Sequence, residues 1–420
     1  MYQKITLNNG LSLLSEKLPE AKSVAIGFWL KIGPRDEKVD ETGLFHFCEH
    51  LLFKGTKNRS ASDIAKEIDS IGGVINAFTT NEYVCFYVHV PFTEYLKGLE
   101  VLIDIYTNAV FLEQEIEKEK TVIINEINSV FETPDDRVYE LFMEKTFHKH
   151  SLGRPIMGYK DGIRKITKLK IQEFYQKHFH TQNTVISLAG NCDLKHVIKM
   201  IENTQFPQGK VYKTKEGNIT PLYYTIESFP CQQMHFCLGT SEYNLTKNDY
   251  FVEIITNLIF GDSLSSRLHQ KIREEYGYCY SIFSFLTHFR RENLFGLYAN
   301  TSPDLFYKTY ASVMQEIKLF ADKGITENEL KIGKKQLLGS LLLNWENVEY
   351  HMQRIFKYEM MLGEYFSYEQ IEEKVNACTI SHVTDLITKI FVRDKFVLTV
   401  LGPENIVEKD LLKELHNVSG

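Results

Sequence analysis

The same short signals recur in this chain about half its length apart. Leu152-Gly153 is echoed by Leu362-Gly363, 210 residues later. Thr167, placed to start a helix, is echoed by Thr379, and Leu188-Ala189-Gly190 by Val400-Leu401-Gly402, both 212 residues later. Shared order and a near-constant offset, close to half of 420 residues, predict two similar domains built from one duplicated unit. Pro207, Gly209, Lys210, Lys213, Lys215 and Gly217 form a mostly polar stretch without apolar period, the best linker candidate. The expected domains are therefore 1–208 and 209–420.

Helix and strand patterns mix in both halves, which makes the expected fold class α+β. Ile5–Leu18 and Ser23–Ile32 read as strands, and Asp36–Thr42 as a polar connector. Ser60–Ile71 reads as a helix stopped by Gly72-Gly73, and Glu113–Phe131 as a strong helix. Val74–Val90, rich in β-branched and aromatic residues, reads as two strands or one long bent strand. In the second half, Ile226–Leu238, Tyr278–Leu286 and Glu292–Ala299 read as strands. Asp249–Phe260, Leu264–Glu275, Asp304–Lys323 and Thr326–Tyr350 read as helices.

The strongest chemical signal is ETGLFHFCEHLLFKG, residues 41–55. His46, Glu49 and His50 stand as H-x-x-E-H, so on a helix all three leave one face. Two imidazoles one turn apart can grip one metal ion, and the carboxylate beside them can take the proton of an attacking water. Leu44, Phe45, Phe47, Leu51, Leu52 and Phe53 supply the buried stripe of such a helix. Asp40 or Thr42 is placed to cap its start, and Gly55 to stop it. Cys48 faces away from the histidines and reads as a small core residue.

A catalytic metal takes three protein ligands and keeps an open position. The best third candidates lie in Glu113–Phe131, where Glu119 and Glu126, seven apart, share a helix face. Glu126 sits among Val122, Ile123, Ile124 and Ile127, a setting in which a carboxylate calls for a metal or a cation. Glu119 can hold a histidine ring by a hydrogen bond, or join Glu115 and Glu117 on a solvated face.

The bulk numbers narrow the class. Hydrophobic content of 43% and charged content of 25% mark a globular chain. A net charge of -7 argues against a nucleic-acid partner. No apolar run is long enough to span a membrane, and MYQKITLNNG lacks the layout of a signal peptide. Seven cysteines without a C-x-x-C fit reduced thiols and an expected cytoplasmic location.

Together these segments resemble the M16 family of inverted-motif zinc peptidases, the pitrilysin and insulysin family. The chain is most similar to its branch of bacterial processing-type peptidases and the mitochondrial processing peptidase β subunit. That family's pattern is H-x-x-E-H followed by a glutamate 76 residues past the second histidine, and Glu126 lies 76 past His50. HFCEHLLFKGT at 46–56, IDSIGGVINAFTTNEY at 68–83, EKTVIINEI at 119–127 and LGRPIMG at 152–158 carry the likeness, which spans essentially the whole chain. Small departures, at Cys48, Phe78 and Asn81, remove no catalytic group.

The resemblance implies two similar domains, each a mostly antiparallel β-sheet packed with helices. It implies one Zn2+ per chain held by His46, His50 and Glu126, Glu49 as the general base that activates water, and Glu119 as a supporting carboxylate. Asn76, Ala77 and Phe78 would pair with the substrate backbone as an added strand. SSRLHQKIREEYGYCYS at 265–281 resembles the segment carrying an arginine and a tyrosine seven apart, here Arg273 and Tyr280. On the residues alone Tyr276 and Tyr278 compete with Tyr280. The expected assembly is a homodimer whose Arg273 and Tyr280 serve the partner's zinc, enclosing a chamber for peptides or unfolded polypeptides. The alternatives are a non-catalytic assembly subunit and a peptidase active only with a non-identical partner. The complete set His46, Glu49, His50 and Glu126 argues against the first.

Overall fold

The computed structural model describes residues 1–211 and 217–404 of the chain; Lys213 and Lys215 of the linker candidate lie outside them. The first half contributes β1 (Tyr2–Thr6), β2 (Ser12–Lys17), β3 (Ser23–Leu30), α1 (Leu44–Leu52), α2 (Ala61–Ser70), β4 (Val74–Thr79) and β5 (Val84–Pro91). There follow α3 (Tyr95–Thr107), α4 (Glu113–Glu132), α5 (Pro134–Thr146), α6 (Lys160–Lys165), α7 (Lys168–His178), β6 (Thr184–Gly190) and α8 (Leu194–Glu202). The second half runs β7 (Tyr224–Ser228), β8 (Met234–Thr240), α9 (Tyr250–Phe260), a π-helical turn (His269–Glu275), β9 (Ser281–His288) and β10 (Asn293–Thr301). It closes with α10 (Phe306–Lys323), α11 (Glu327–Asn344), α12 (Val348–Met361), α13 (Tyr368–Ala377), α14 (Ile380–Ile390) and β11 (Val397–Gly402).

Two sheets share one topology. The first has the order β1-β2-β6-β3-β5-β4 and the second β7-β11-β8-β10-β9. In each, one parallel pair (β2 with β6, β7 with β11) precedes antiparallel pairs in the same sequence, and β1 is an addition to the first sheet. The echoes of the sequence fall on equivalent places. Thr167 and Thr379 each cap a helix through the side-chain oxygen. Gly190 and Gly402 each end the strand beside its parallel partner. The fold is α+β, with two mixed sheets packed with helices.

The chain divides into two compact units, and neither is continuous. One comprises Met1–Ser129, Arg154–Gly217 and Asn344–Tyr365; the other comprises Val130–Gly153, Asn218–Leu343 and Phe366–Gly420. Each sheet therefore takes a helix from the other half of the sequence: α12 lies on β2, β6 and β3, and α5 lies on β8 and β11. Trp29 of β3 stacks on Phe356 of α12 at 4.0 Å, within a buried cluster that also holds Leu14, Val185, Met352 and Ile355. Gly27 makes room for α12, and Gly239, 212 residues on, makes room first for the neighbouring strand β10. A Cβ on Gly27 would stand 2.5 Å from the Met352 sulfur, and one on Gly239 would stand 2.1 Å from the Phe295 carbonyl and 3.0 Å from the Phe142 ring.

Four expected elements divide or shift. Ile5–Leu18 is a hairpin, β1 and β2, because Gly10 turns at φ 86. Ile226–Leu238 is two strands, β7 and β8, separated around Pro230, which cannot donate to a ladder. Thr326–Tyr350 breaks at Asn347, whose side chain caps α12 by accepting from Glu349 and Tyr350. Leu264–Glu275 becomes helical only from Arg267 and is π-helical from His269. The Val74–Val90 stretch is a pair of strands, β4 and β5.

Candidate metal centre

The motif helix α1 is capped from outside. Its N-cap is Gly43, at φ 96, and neither Asp40 nor Thr42 provides a side-chain cap as expected. Glu37 does this instead: one carboxylate oxygen accepts from Gly43 N at 2.9 Å and the other from Phe45 N at 2.7 Å. Burial pushes Glu37 up to about 8 against these two bonds, and its oxygens satisfy N–H groups that the first turn of the helix leaves open. The polar connector is buried at both ends, with Asp36, Glu37 and Glu41 each at most 5% exposed, while Lys38, Val39 and Asp40 between them are exposed. Arg35 pairs with Glu82, and Arg154 donates to the Glu37 carbonyl at 2.7 Å. Gly158, at φ 78, lies so close that a Cβ there would stand 2.6 Å from the Thr42 carbonyl, which accounts for the glycine that ends LGRPIMG.

Three donor atoms converge on α1's exposed face. Among the described residues, His46, His50 and Glu126 form the group able to hold a metal, with ligand atoms all within 4.8 Å of one another. His50 Nε2 lies 3.6 Å and His46 Nε2 3.9 Å from Glu126 Oε2. Tetrahedral ligands about 2.1 Å from one zinc ion stand about 3.4 Å apart, so small side-chain adjustments fit the ion. Glu126 Oε2 is a buried oxygen without a hydrogen-bond partner, as a ligand atom awaiting a cation would be. Burial, and then the neighbouring His50, push His46 down to about 4, so its ring is neutral and can ligate. The set fits zinc.

The flanking carboxylates occupy different settings. Glu119 Oε2 accepts from His50 Nδ1 at 2.9 Å, which leaves the His50 Nε2 lone pair facing Glu126. Lys54 meets the other Glu119 oxygen at 2.8 Å. Burial would raise Glu119, but Lys54 and His50 outweigh it and hold the carboxyl below its ordinary range. Glu119 is thus buried and not part of a solvated face, whereas the Glu126 side chain is 40% exposed and less enclosed than its apolar neighbours suggest. Glu49 accepts a hydrogen bond from the Thr79 hydroxyl, and burial raises its pKa against that bond. Cys48 is fully buried on the core side.

Thr79 closes β4, the edge strand of the first sheet. Ala77 lies two residues earlier and packs on the core beneath α1, while Phe78 turns to the other face, edge-on to Trp29 at 5.6 Å. Asn76 is exposed, and its side-chain oxygen accepts from Ala77 N at 2.8 Å. Arg273 and Tyr280 belong to the second unit. Arg273 lies in the π-helical turn, its guanidinium carbon 5.8 Å from the Tyr280 ring centre, and Tyr280 precedes β9 and is 76% exposed. The Tyr276 and Tyr278 rings meet at a tilt of 35°, their centres 5.0 Å apart.

Thr79, Lys54 and Glu37 are absent from the sequence reading. Period-two counting from Ala77 places Thr79 on the motif's side of its strand, and Lys54 follows His50 by four, so both carry a faint signal. Glu37 carries none, because its contact depends on how the connector folds back.

Residues 12–160 match the insulinase family, peptidase family M16, and residues 165–337 match the peptidase M16 inactive domain. The chain is 32% identical over 406 residues to YmxG of Bacillus subtilis, an uncharacterized zinc protease, covering 96% of this chain and 98% of that protein. A protease from Helicobacter pylori superposes with TM-score 0.88 at 19% identity, covering 96% of this chain and 99% of that one. A chain of complex III2 from Candida albicans superposes with TM-score 0.82 at 19% identity, covering 99% of both.

Proposed function

The chain belongs to the M16 peptidase family, and from that premise we propose that it is a zinc endopeptidase acting on peptides or unfolded polypeptide segments. The observation that carries this reading is the convergence of His46 Nε2, His50 Nε2 and Glu126 Oε2 beside Glu49. His46, His50 and Glu126 would hold one zinc ion per chain, which when bound would supply Lewis acidity to the scissile carbonyl and to a water near neutral pH. Glu49 takes the water's proton and returns it to the departing amine. The Thr79 hydroxyl fixes the orientation of the Glu49 carboxylate, and Glu119 fixes the His50 ring. The open side of β4, at Asn76, Ala77 and Phe78, receives the substrate as an added strand, which binds main chain with little side-chain preference.

In this reading two identical chains pair, and Arg273 and Tyr280 of one donate hydrogen bonds to the tetrahedral intermediate formed in the other. No described helix is long and apolar enough to cross a membrane, and the proposed place of action is the cytoplasm.

The test is zinc per chain by elemental analysis, with a quenched-peptide panel run on wild type and Glu49→Gln. We expect one zinc in both and a loss of roughly 100-fold or more in kcat for Glu49→Gln. A wild type without zinc, or equal cleavage by the variant, rejects the mechanism. Mixing Glu49→Gln with Arg273→Ala tests the shared site: activity regained in mixed dimers supports it, and none regained removes it. A non-catalytic subunit would cleave nothing in any arm.

A further inference from the structure

Arg273 is not loose on its turn. Its Nη1 lies 2.8 Å from His269 Nε2, one residue type reaching another four positions earlier. A guanidinium carries only donors, so His269 Nε2 must present its lone pair and the ring must be neutral, with its proton on Nδ1. His269 is 9% exposed, and its Nδ1 is buried without a hydrogen-bond partner, the closest carboxylate oxygen being Glu274 Oε1 at 4.0 Å. Buried Ile272 precedes the arginine in sequence. The turn that carries both residues is π-helical, and such widened turns recur at functional sites because they re-aim a side chain. Tyr280, by contrast, stands in solvent with the guanidinium 5.8 Å from its ring.

We propose that His269 is the positioning residue for Arg273, fixing the guanidinium so that it meets the substrate in one orientation. The inference rests on the reading above, in which Arg273 serves the reaction. An unheld arginine has many rotamers to lose on reaching a transition state, and a fixed neighbour removes part of that cost before substrate arrives. His269 touches no substrate itself and acts through the arginine. Glutamine can keep an acceptor oxygen near the Nε2 position, while asparagine is too short.

The experiment is a double-mutant cycle on the full zinc-loaded chain with a quenched peptide, using His269→Asn, Arg273→Ala and the double variant, with His269→Gln as rescue. Expected are a fall in kcat/KM of about fivefold to twentyfold for His269→Asn, carried by kcat, and recovery to within about twofold in His269→Gln. In the Arg273→Ala background His269→Asn should change kcat/KM by less than about twofold. Zinc content should stay at the wild-type level throughout. A His269→Asn variant as active as wild type, or one whose loss multiplies independently with that of Arg273→Ala, overturns the inference while leaving Arg273's role intact. If Arg273→Ala itself loses no activity, the parent reading of Arg273 fails and this inference fails with it. His269→Ala carries the same cycle if the asparagine variant does not fold.

Discussion

Glu49 and Glu119 are the same side chain in two environments, and the environments set their work. Glu49 has burial on one side and a single hydroxyl, Thr79, on the other, so its carboxyl is raised and can accept a proton. Glu119 has Lys54 and His50, so it stays ionised and acts as a fixed acceptor. Thr79→Val keeps the side-chain shape and removes the O–H. The expected outcome is a fall of about tenfold in kcat, with zinc content unchanged, read by steady-state kinetics and elemental analysis. Glu119→Gln keeps an acceptor for the His50 ring but removes the negative charge behind it. It should weaken zinc binding by about 10- to 100-fold, measured by competition with a chromogenic chelator.

At the level of elements, α12 is held to the first sheet by buried charge as well as by packing. Glu16 of β2 accepts from Arg354 Nη2 at 2.8 and 2.9 Å, from Tyr365 at 2.8 Å, and lies 3.0 Å from His351 Nδ1. Burial would raise Glu16, but His351, Arg354 and Tyr365 prevail and lower it from the ordinary 4.5. A carboxyl lowered by folding adds stability that is whole above the unfolded value and lost as pH falls through the folded one. Thermal stability should therefore drop as pH falls below about 4.5, and drop less in Glu16→Gln. At neutral pH, Glu16→Gln should cost about 3 kcal/mol, because one partner of a buried pair is removed. Equal pH slopes in wild type and variant, followed by circular dichroism, would count against this account.

For the whole molecule, the exchange of α5 and α12 makes each compact unit depend on the other half of the chain. Without Asn344–Tyr365, residues 1–208 expose the face of the first sheet that holds Trp29, Cys85 and Val185. The fragment 1–208 should thus bind a hydrophobic dye and lack near-ultraviolet circular dichroism from Trp29. Adding a peptide of residues 344–365 should restore the signal, since it returns Phe356 to the indole. A fragment that is already ordered without the peptide would show that α12 is dispensable.

Much of the site was legible because its chemistry is local. H-x-x-E-H sets two ring nitrogens and a carboxylate on one face by helical spacing alone, and the seven-residue interval of Glu119 and Glu126 does the same on α4. The 212-residue echoes are likewise properties of the chain, and they fall on equivalent caps and strand ends in the two sheets. What the folded backbone decided goes beyond regular helix and strand spacing. The Glu37 cap on α1, the Thr79 bond to Glu49 and the His269 bond to Arg273 are set by how a connector folds back, how a strand registers and how wide a helical turn opens. The division of the helices is decided there too. A helix pattern states which face is apolar but not which sheet will cover it, and Gly27 shows its purpose only once Met352 lies against it.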